Sequence, residues 1–338
     1  MDAIGEIATF SAKVILVTLA TLLITAAMGR VVAMRRQRGE RLTVKRLNSR
    51  FEELAEPLYH ATLPPRIYRK FRKNRTRVEQ LVRFSDRPRV WVLTFEGDTA
   101  ASQVSALRDE VTAVLMVCRE GDEALLRVTS PGGTVVGYGL AASQVERLKR
   151  AGLRVTVSID TVAASGGYMM ACVADHIIAA PFAAVGSIGV VAMIPNVRRL
   201  LDDKGVQVHE FTAGRYKRTV TPFSEPDDER REKLTEQLED AHRLFKSHVS
   251  TWRPALDVDA VATGEHWYGS RALELGLVDE IRTSDDWLLA RAPEAELLQL
   301  RYEQNLSPFD QLSAAVAAGV RAVTPGRSLH DTMRPPYV

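Results

Sequence analysis

The residues able to do covalent chemistry in this chain converge on Ser165. The stretch Val155-Thr-Val-Ser-Ile159, followed by Asp160-Thr-Val-Ala-Ala-Ser165-Gly166-Gly167-Tyr168, predicts a buried strand, a short loop and a helix that opens at the serine. Two glycines directly after the serine let the backbone approach a bound group, and they leave unpaired amides at a helix N-terminus that can stabilise an oxyanion. Those are the needs of an acyl-transfer nucleophile. The competing reading makes Ser165 an ordinary N-cap, with the glycines present only for tight packing.

A serine hydroxyl is a poor nucleophile at neutral pH unless a base takes its proton. Seven histidines are available, His60, His176, His209, His242, His248, His266 and His330. None stands in a triad setting: Ser165 lacks a Gly-x-Ser-x-Gly elbow, and no His-Glu-x-x-His pair suggests a zinc protease. His242 and His248 fall on a long charged helix and are read as solvated, and His176 as a strand-edge residue. The alternative base is a lysine, whose pKa falls when it is desolvated. Lys217, in Gly214-Arg-Tyr-Lys217 among small and polar residues, is that candidate, with Tyr216 beside it read as packing.

Elements that must position these groups follow from hydrophobic periodicity. Val90 to Phe95 predicts a first buried strand. A helix with Val104, Leu107, Val111, Val114, Leu115 and Cys118 on one face comes next, then a strand from Ala124 to Val128 ending in Ser130-Pro-Gly-Gly133, and a helix through Leu140, Val145 and Leu148. This alternation predicts βαβ units around a mainly parallel sheet, whose sites lie at the C-terminal ends of strands. Both glycine pairs, Gly132-Gly133 and Gly166-Gly167, fall at such ends. Further on, Val206 to Phe211 reads as a strand, Asp227 to Trp252 as a long helix with Leu234, Leu238, Ala241, Phe245 and Val249 on one face, and Gly276 as a helix stop before an edge strand. Leu312 to Val323 predicts a small amphipathic helix, and Met333 to Val338 a frayed end.

The chain has 338 residues, 46% hydrophobic and 26% charged, which suits one main domain with appendages. Its net charge of +3 hides an uneven distribution, because basic residues crowd before about residue 90. From Ile7 to Met28 the residues are nearly all apolar, interrupted by Lys13, which predicts one uncleaved transmembrane helix. Eight basic residues from Arg30 to Arg50 face the single acid Glu40, and this predicts that the C-terminal bulk lies in the cytoplasm. A second basic run, Arg66, Arg69, Lys70, Arg72, Lys73, Arg75 and Arg77, is read as hugging anionic lipid or as a solvated linker, since no nucleic-acid-binding motif accompanies it. Cys118 and Cys172, the two cysteines, are read as core thiols, and neither a disulfide framework nor a zinc cluster is suggested. The expected division is an anchor over 1–30, a basic linker or helical juxtamembrane region over 31–87, the main domain over 88–302 and a tail over 303–338.

Five ordered motifs carry a family resemblance: Ser-Pro-Gly-Gly at 130 to 133, Ala-Ala-Ser-Gly-Gly-Tyr at 163 to 168, Gly-Ser-Ile-Gly-Val at 186 to 190, Gly-Arg-Tyr-Lys at 214 to 217 and Gly-Leu-Val-Asp at 276 to 279. Through them the sequence resembles the signal peptide peptidase A family of Ser-Lys membrane peptidases, most closely its SohB branch. The resemblance implies an α/β fold of the ClpP/crotonase type, built of repeated ββα turns behind an N-terminal transmembrane helix. It implies hydrolysis of peptide bonds in membrane-derived or unfolded polypeptides, remnant signal peptides among them, with no metal or cofactor. By position, Ser165 matches the nucleophile and Lys217, 52 residues later, the general base. Gly166 matches one oxyanion donor, Gly132 or Gly133 the other, and Ser187 the residue that orients the lysine.

Two rival readings stay open: a crotonase-like acyl-CoA enzyme, which shares the superfold and its glycine-backed oxyanion hole, and a non-catalytic membrane scaffold. The longer members of the resembled family duplicate this domain, whereas here each motif occurs once. A homo-oligomeric ring that completes its sites between subunits is therefore expected, in a bacterial inner membrane, with the periplasmic face as the alternative to the cytoplasmic one.

Overall fold

The computed structural model describes residues 40–82, 87–223, 225 and 227–304. The expected span over 7–28, the tail helix over 312–323 and the end at 333–338 lie outside them. Two compact units divide the chain, Val44–Arg301 and Met1–Thr43 with Tyr302–Val338. Of the second unit only residues 40–43 and 302–304 are described.

In chain order the elements are β1 (Glu40–Arg46), α1 (Leu47–Thr62), α2 (Pro65–Val82), β2 (Arg89–Glu96), α3 (Val104–Val117), β3 (Glu123–Thr129), α4 (Val135–Arg150), β4 (Arg154–Ile159), β5 (Val162–Ala164), α5 (Gly166–Ala171), β6 (His176–Ala179) and β7 (Ala184–Gly186). There follow α6 (Arg198–Asp202), α7 (Asp228–Trp252), α8 (Val258–Val261), β8 (His266–Tyr268), α9 (Gly269–Glu274), β9 (Glu280–Ile281), α10 (Ser284–Arg291) and β10 (Glu296–Gln304). Among the described residues seven strands form one sheet in the order β1-β10-β2-β3-β4-β6-β9, and the pairings from β10 through β9 are all parallel. A second sheet, β5-β7-β8, has β5 parallel and β8 antiparallel to β7.

The near-continuous apolar runs of β2, β3 and β4 are those of strands buried on both faces. Alternate residues of one face, Val90, Val92, Leu125, Ile178 and Leu297, join a cluster closed by Leu47 and Phe51 of α1 and by Trp287 and Leu288 of α10. Leu107, Val111 and Val114 of α3, with Tyr138, Ala141, Val145 and Leu148 of α4, supply further core. Asp122, almost fully buried, accepts hydrogen bonds from the Arg89 amide (3.0 Å), the Arg119 amide (3.1 Å) and Trp91 Nε1 (3.1 Å), tying the starts of β2 and β3 together.

The strand expected over Val206 to Phe211 does not form; that stretch is irregular and exposed, with Phe211 92% accessible. Alternating apolar residues favour a strand only where a neighbouring strand and a buried face exist, and among the described residues neither is present here. Cys172 is a core thiol as expected, but Cys118 is only half-buried at the end of α3.

Asn48, one residue into α1, binds the sheet edge on three sides. Its amide nitrogen donates to the carbonyls of Ala292 and Ala295 (3.0 Å each), and its oxygen accepts from the Leu297 amide at 2.8 Å. Asn48→Ala strands three partly buried backbone groups and should cost about 2 kcal/mol. Urea denaturation should show a lowered midpoint at unchanged slope, and an unmoved midpoint would show that α1 is not fastened in this way.

Candidate active site at the end of β5

Ser165 sits between β5 and α5 with φ 51° and ψ −118°, a conformation that costs a non-glycine residue about 1–3 kcal/mol. The surroundings hold it there. Its amide donates to Gly186 O at 2.7 Å, and its carbonyl accepts from the Met169 amide at 2.9 Å. Ser165 is half-buried, α5 behind it is buried throughout, and the serine side chain does not cap the helix. A sharp turn of this kind projects a hydroxyl away from the backbone that carries it.

Gly132 lies directly against this turn. At φ 91°, a Cβ on it would stand 2.7 Å from Ser165 Cβ and 2.8 Å from Gly166 N, so no side chain fits. A Cβ on Gly166 would meet Tyr138 Cγ at 2.3 Å, because the Tyr138 ring forms the floor under the turn. Tyr138 Oη donates to Asp98 O at 2.8 Å, so its single proton is spent there. Ser130 Oγ, 2.5 Å from Tyr138 Oη, must then donate to it, while accepting from the Gly132 amide at 3.0 Å. The Gly132 amide is thereby occupied, whereas the amides of Gly133 and Gly166 have no acceptor among the described residues. Sequence reasoning missed Tyr138, since an aromatic on an amphipathic helix carries no signal beyond packing.

Ser187 reaches the same place by strand register. Ala164 pairs with Gly186 across the parallel β5 and β7, so Ser165 and Ser187 are the next residue of each strand. Ser187 also has a positive φ, 52°, and its amide donates to Glu265 O at 2.7 Å. Ser165, Gly132, Gly133, Gly166 and Ser187 are thus gathered by backbone geometry. Lys217 is not joined to them by any hydrogen bond among the described residues. It lies on an exposed turn in which its amide donates to Gly214 O at 3.1 Å, and its amine has no hydrogen-bond or ion-pair partner among the described residues. Tyr216 does not pack into a core; it is exposed and its hydroxyl donates to Glu229 at 3.2 Å. His248 is not solvated as expected either, because its Nε2–H donates to Met169 O on α5 at 2.9 Å.

The model of peptidase family S49 matches residues 147–298, and that of the S49 N-terminal region matches residues 2–145. A protein described as "Probable protease SohB" from Buchnera aphidicola subsp. Schlechtendalia chinensis is 42% identical over 305 residues, covering 86% of this chain and 100% of that one. The chain belongs to peptidase family S49. Within the family it is SohB-like: a "Probable protease SohB" from Haemophilus influenzae is 55% identical over 213 residues, 63% of this chain and 60% of the relative. A solved structure of a membrane-bound stomatin-specific protease, in complex with a substrate peptide, overlays with a TM-score of 0.44 at 13% identity, covering 69% of this chain and 100% of that one.

In this S49 chain the helix behind the serine is pinned from below. Tyr168 Oη, deeply buried, donates to Leu277 O at 3.0 Å. Arg253, at the end of α7, donates to Gly276 O at 2.9 Å and clamps both oxygens of Asp279 at 2.7 and 2.9 Å. Asp279 also accepts the Ile177 amide at 2.8 Å. The Gly-Leu-Val-Asp motif is therefore a fastening for α5, α7 and β6. Burial pushes the Cys172 thiol, at the C-terminal end of α5, up to about 12, which disfavours the thiolate.

Burial pushes the Asp279 carboxyl up, but the Arg253 hydrogen bonds and the Ile177 amide outweigh it and hold the pKa below the ordinary value. A depressed folded-state pKa contributes stability that is present above the unfolded value, about 3.9, and is lost as pH falls through the folded value. Asp279→Asn should lower stability at neutral pH and flatten the decline below about pH 4. Equal losses in parent and variant between pH 6 and pH 3, followed by denaturant titration, would remove Asp279 from the acid response.

Proposed function

We propose that this S49 chain is a serine endopeptidase with Ser165 as nucleophile and Lys217 as general base. The observation that carries the reading is the turn at Ser165, strained and uncapped, with the amides of Gly133 and Gly166 left without an acceptor among the described residues. The Ser165 hydroxyl attacks the scissile carbonyl carbon while its proton passes to the neutral Lys217 amine. Negative charge collects on the carbonyl oxygen, where the amides of Gly133 and Gly166 receive it. Of the two glycines in Ser-Pro-Gly-Gly we assign the role to Gly133, since the Gly132 amide is already given to Ser130. Collapse breaks the C–N bond, the leaving amine takes the proton from Lys217, and water, deprotonated by the same lysine, hydrolyses the acyl-enzyme. Ser187 hydrogen-bonds the amine and orients it. The parallel sheet with its small companion sheet suits a ClpP/crotonase-type assignment.

Lys217 reaches Ser165 from a neighbouring subunit in this reading. Support comes from α7, which holds Arg215 and Tyr216 through Glu229 at one end and the serine's helix through His248 at the other. The 19 residue steps from Glu229 to His248 span about 28 Å at the helical rise, several times the reach of a lysine side chain. The exposed apolar residues Val191, Met193, Leu200 and Phe211, on the stretch of chain that leads to the Lys217 segment, give a partner something to cover, and such a partner would desolvate the amine. A head-to-tail contact of this sort closes into a homo-oligomeric ring. Val135, Val136 and Leu140, exposed on the first turns of α4 beyond Gly133, suit apolar substrate segments such as membrane-derived peptides.

The membrane belongs to the same proposal: residues 7–28 anchor the chain in a bacterial inner membrane, with the basic flank on anionic lipid and the catalytic body on the cytoplasmic side. Among the described residues no helix is long and apolar enough to cross a membrane. On α2, Arg66, Arg69, Lys70 and Lys73 are exposed, as a contact with lipid headgroups requires.

Ser165→Ala and Lys217→Ala should each abolish peptide hydrolysis with the fold intact by circular dichroism. Mixing the two inactive proteins under conditions of subunit exchange should restore part of the activity. No recovery despite demonstrated exchange would put both residues in one protomer, and wild-type activity in either single variant would end the dyad assignment. Loss of fluorophosphonate labelling in Ser165→Ala separates an enzyme from a scaffold. For topology, alkaline phosphatase fused to the C-terminus should be inactive; an active fusion would place the body outside the cytoplasm.

A further inference from the structure

We infer that Glu229 is a positioning residue for Lys217, which it holds through the two residues that precede the lysine. This rests on the reading of Lys217 as the general base. Glu229 lies in the first turn of α7, behind the Asp227 cap whose carboxylate accepts the Arg230 amide at 2.8 Å. One oxygen of Glu229, Oε1, takes three donors from the Gly-Arg-Tyr-Lys segment: Arg215 Nε at 2.9 Å, a terminal guanidinium nitrogen of Arg215 at 2.8 Å, and Tyr216 Oη at 3.2 Å. The Tyr216 ring is held as well, with the Arg215 guanidinium 5.2 Å and the Lys233 amine 5.1 Å from its centroid. Gly214, at φ 99°, makes the turn that points this segment at α7.

Charged groups facing the segment are Arg215, Glu229, Lys233, which pairs with Glu236 at 2.7 Å, and Arg218, which lies 3.6 Å from Glu210. Among the described residues the Lys217 amine has no hydrogen-bond or ion-pair partner, unlike these groups. Its two predecessors take up the available carboxylate, so the lysine is positioned by its backbone and is not neutralised by an acid of its own. That is the arrangement a lysine base needs, since a carboxylate bonded to the amine would keep it charged. An exposed ion pair adds little to the stability of the fold, so the contribution of Glu229 lies in limiting where the Lys217 segment can sit.

The test uses the purified full-length chain and compares wild type with Glu229→Ala, Glu229→Gln, Tyr216→Phe and Lys217→Ala. A quenched fluorescent peptide of apolar residues reports kcat and KM, and a fluorophosphonate reports the reactivity of Ser165. Glu229→Ala should lower kcat and the labelling rate by about tenfold to a hundredfold, as misplacement of a catalytic group does, with KM within about twofold. Glu229→Gln keeps an acceptor for Arg215 and Tyr216 and should retain more activity than Glu229→Ala; Tyr216→Phe should fall between wild type and Glu229→Ala. Thermal midpoints should not move. The inference is overturned if Lys217→Ala is inactive while both Glu229 variants keep wild-type kcat, or if they lose activity only together with a lowered midpoint and with no rescue by Glu229→Gln. Activity surviving in Lys217→Ala would instead sink the base assignment and this inference with it.

Discussion

The backbone at Ser165 is held where a non-glycine residue does not willingly go, and the surrounding structure is arranged to keep it there. The Gly186 carbonyl takes the serine amide, which requires β7 to run parallel to β5 in the observed register. The parallel bridge from Ser130 to Ala163 fixes β5 to the end of β3, so the small sheet and the large one meet at the turn. Gly132, Gly166 and Gly167 are each excluded from bearing a side chain by an atom of the same assembly: Ser165 Cβ, the Tyr138 ring and Ser130 O. Strain at one residue is thus offset by many ordinary contacts around it.

The hydrogen-bond chain beneath the turn has a direction, and that direction matters for chemistry. Tyr138 gives its proton to Asp98, Ser130 gives its own to Tyr138, and Gly132 gives its amide to Ser130. Each donor is used once, and Gly133 is the next amide along the chain without an acceptor. A motif that reads as a symmetrical glycine pair becomes two unlike positions, one amide bonded to Ser130 and one without an acceptor among the described residues.

Helix α7 sets the second constraint. Its apolar stripe is half-buried at Leu234 and Leu238 and fully buried at Phe245 and Val249, so the helix is rooted in the body at its C-terminal end. His248 and Arg253 secure that root to α5 and to the Gly276–Asp279 turn. Its other end carries the Lys217 segment through Glu229. A rigid rod keeps what is attached to one end away from what is attached to the other, so α7 holds the Lys217 segment apart from the helix that follows Ser165 within one chain.

Local signals in the sequence were enough to mark the parallel βαβ order, the strand-turn-helix at Ser165 and the glycine pairs at strand ends, because hydrophobic period and glycine placement are properties of short stretches. S49 membership was legible for the same reason, in five short motifs. Register lies beyond such signals: that Ser187 follows Gly186 opposite Ala164 depends on which strands pair, and that Tyr138 lies under Gly166 depends on how α4 packs on α5. The failed strand at Val206 to Phe211 shows the limit from the other side, since its alternation is real but no neighbouring strand completes it. His248 likewise reads as one more polar residue on a charged helix until the fold brings the Met169 carbonyl to it. Residue types and their order came from the sequence, while the assignment of each amide, hydroxyl and carboxylate to a partner was decided by tertiary structure, because hydrogen bonds join atoms that the chain itself leaves far apart.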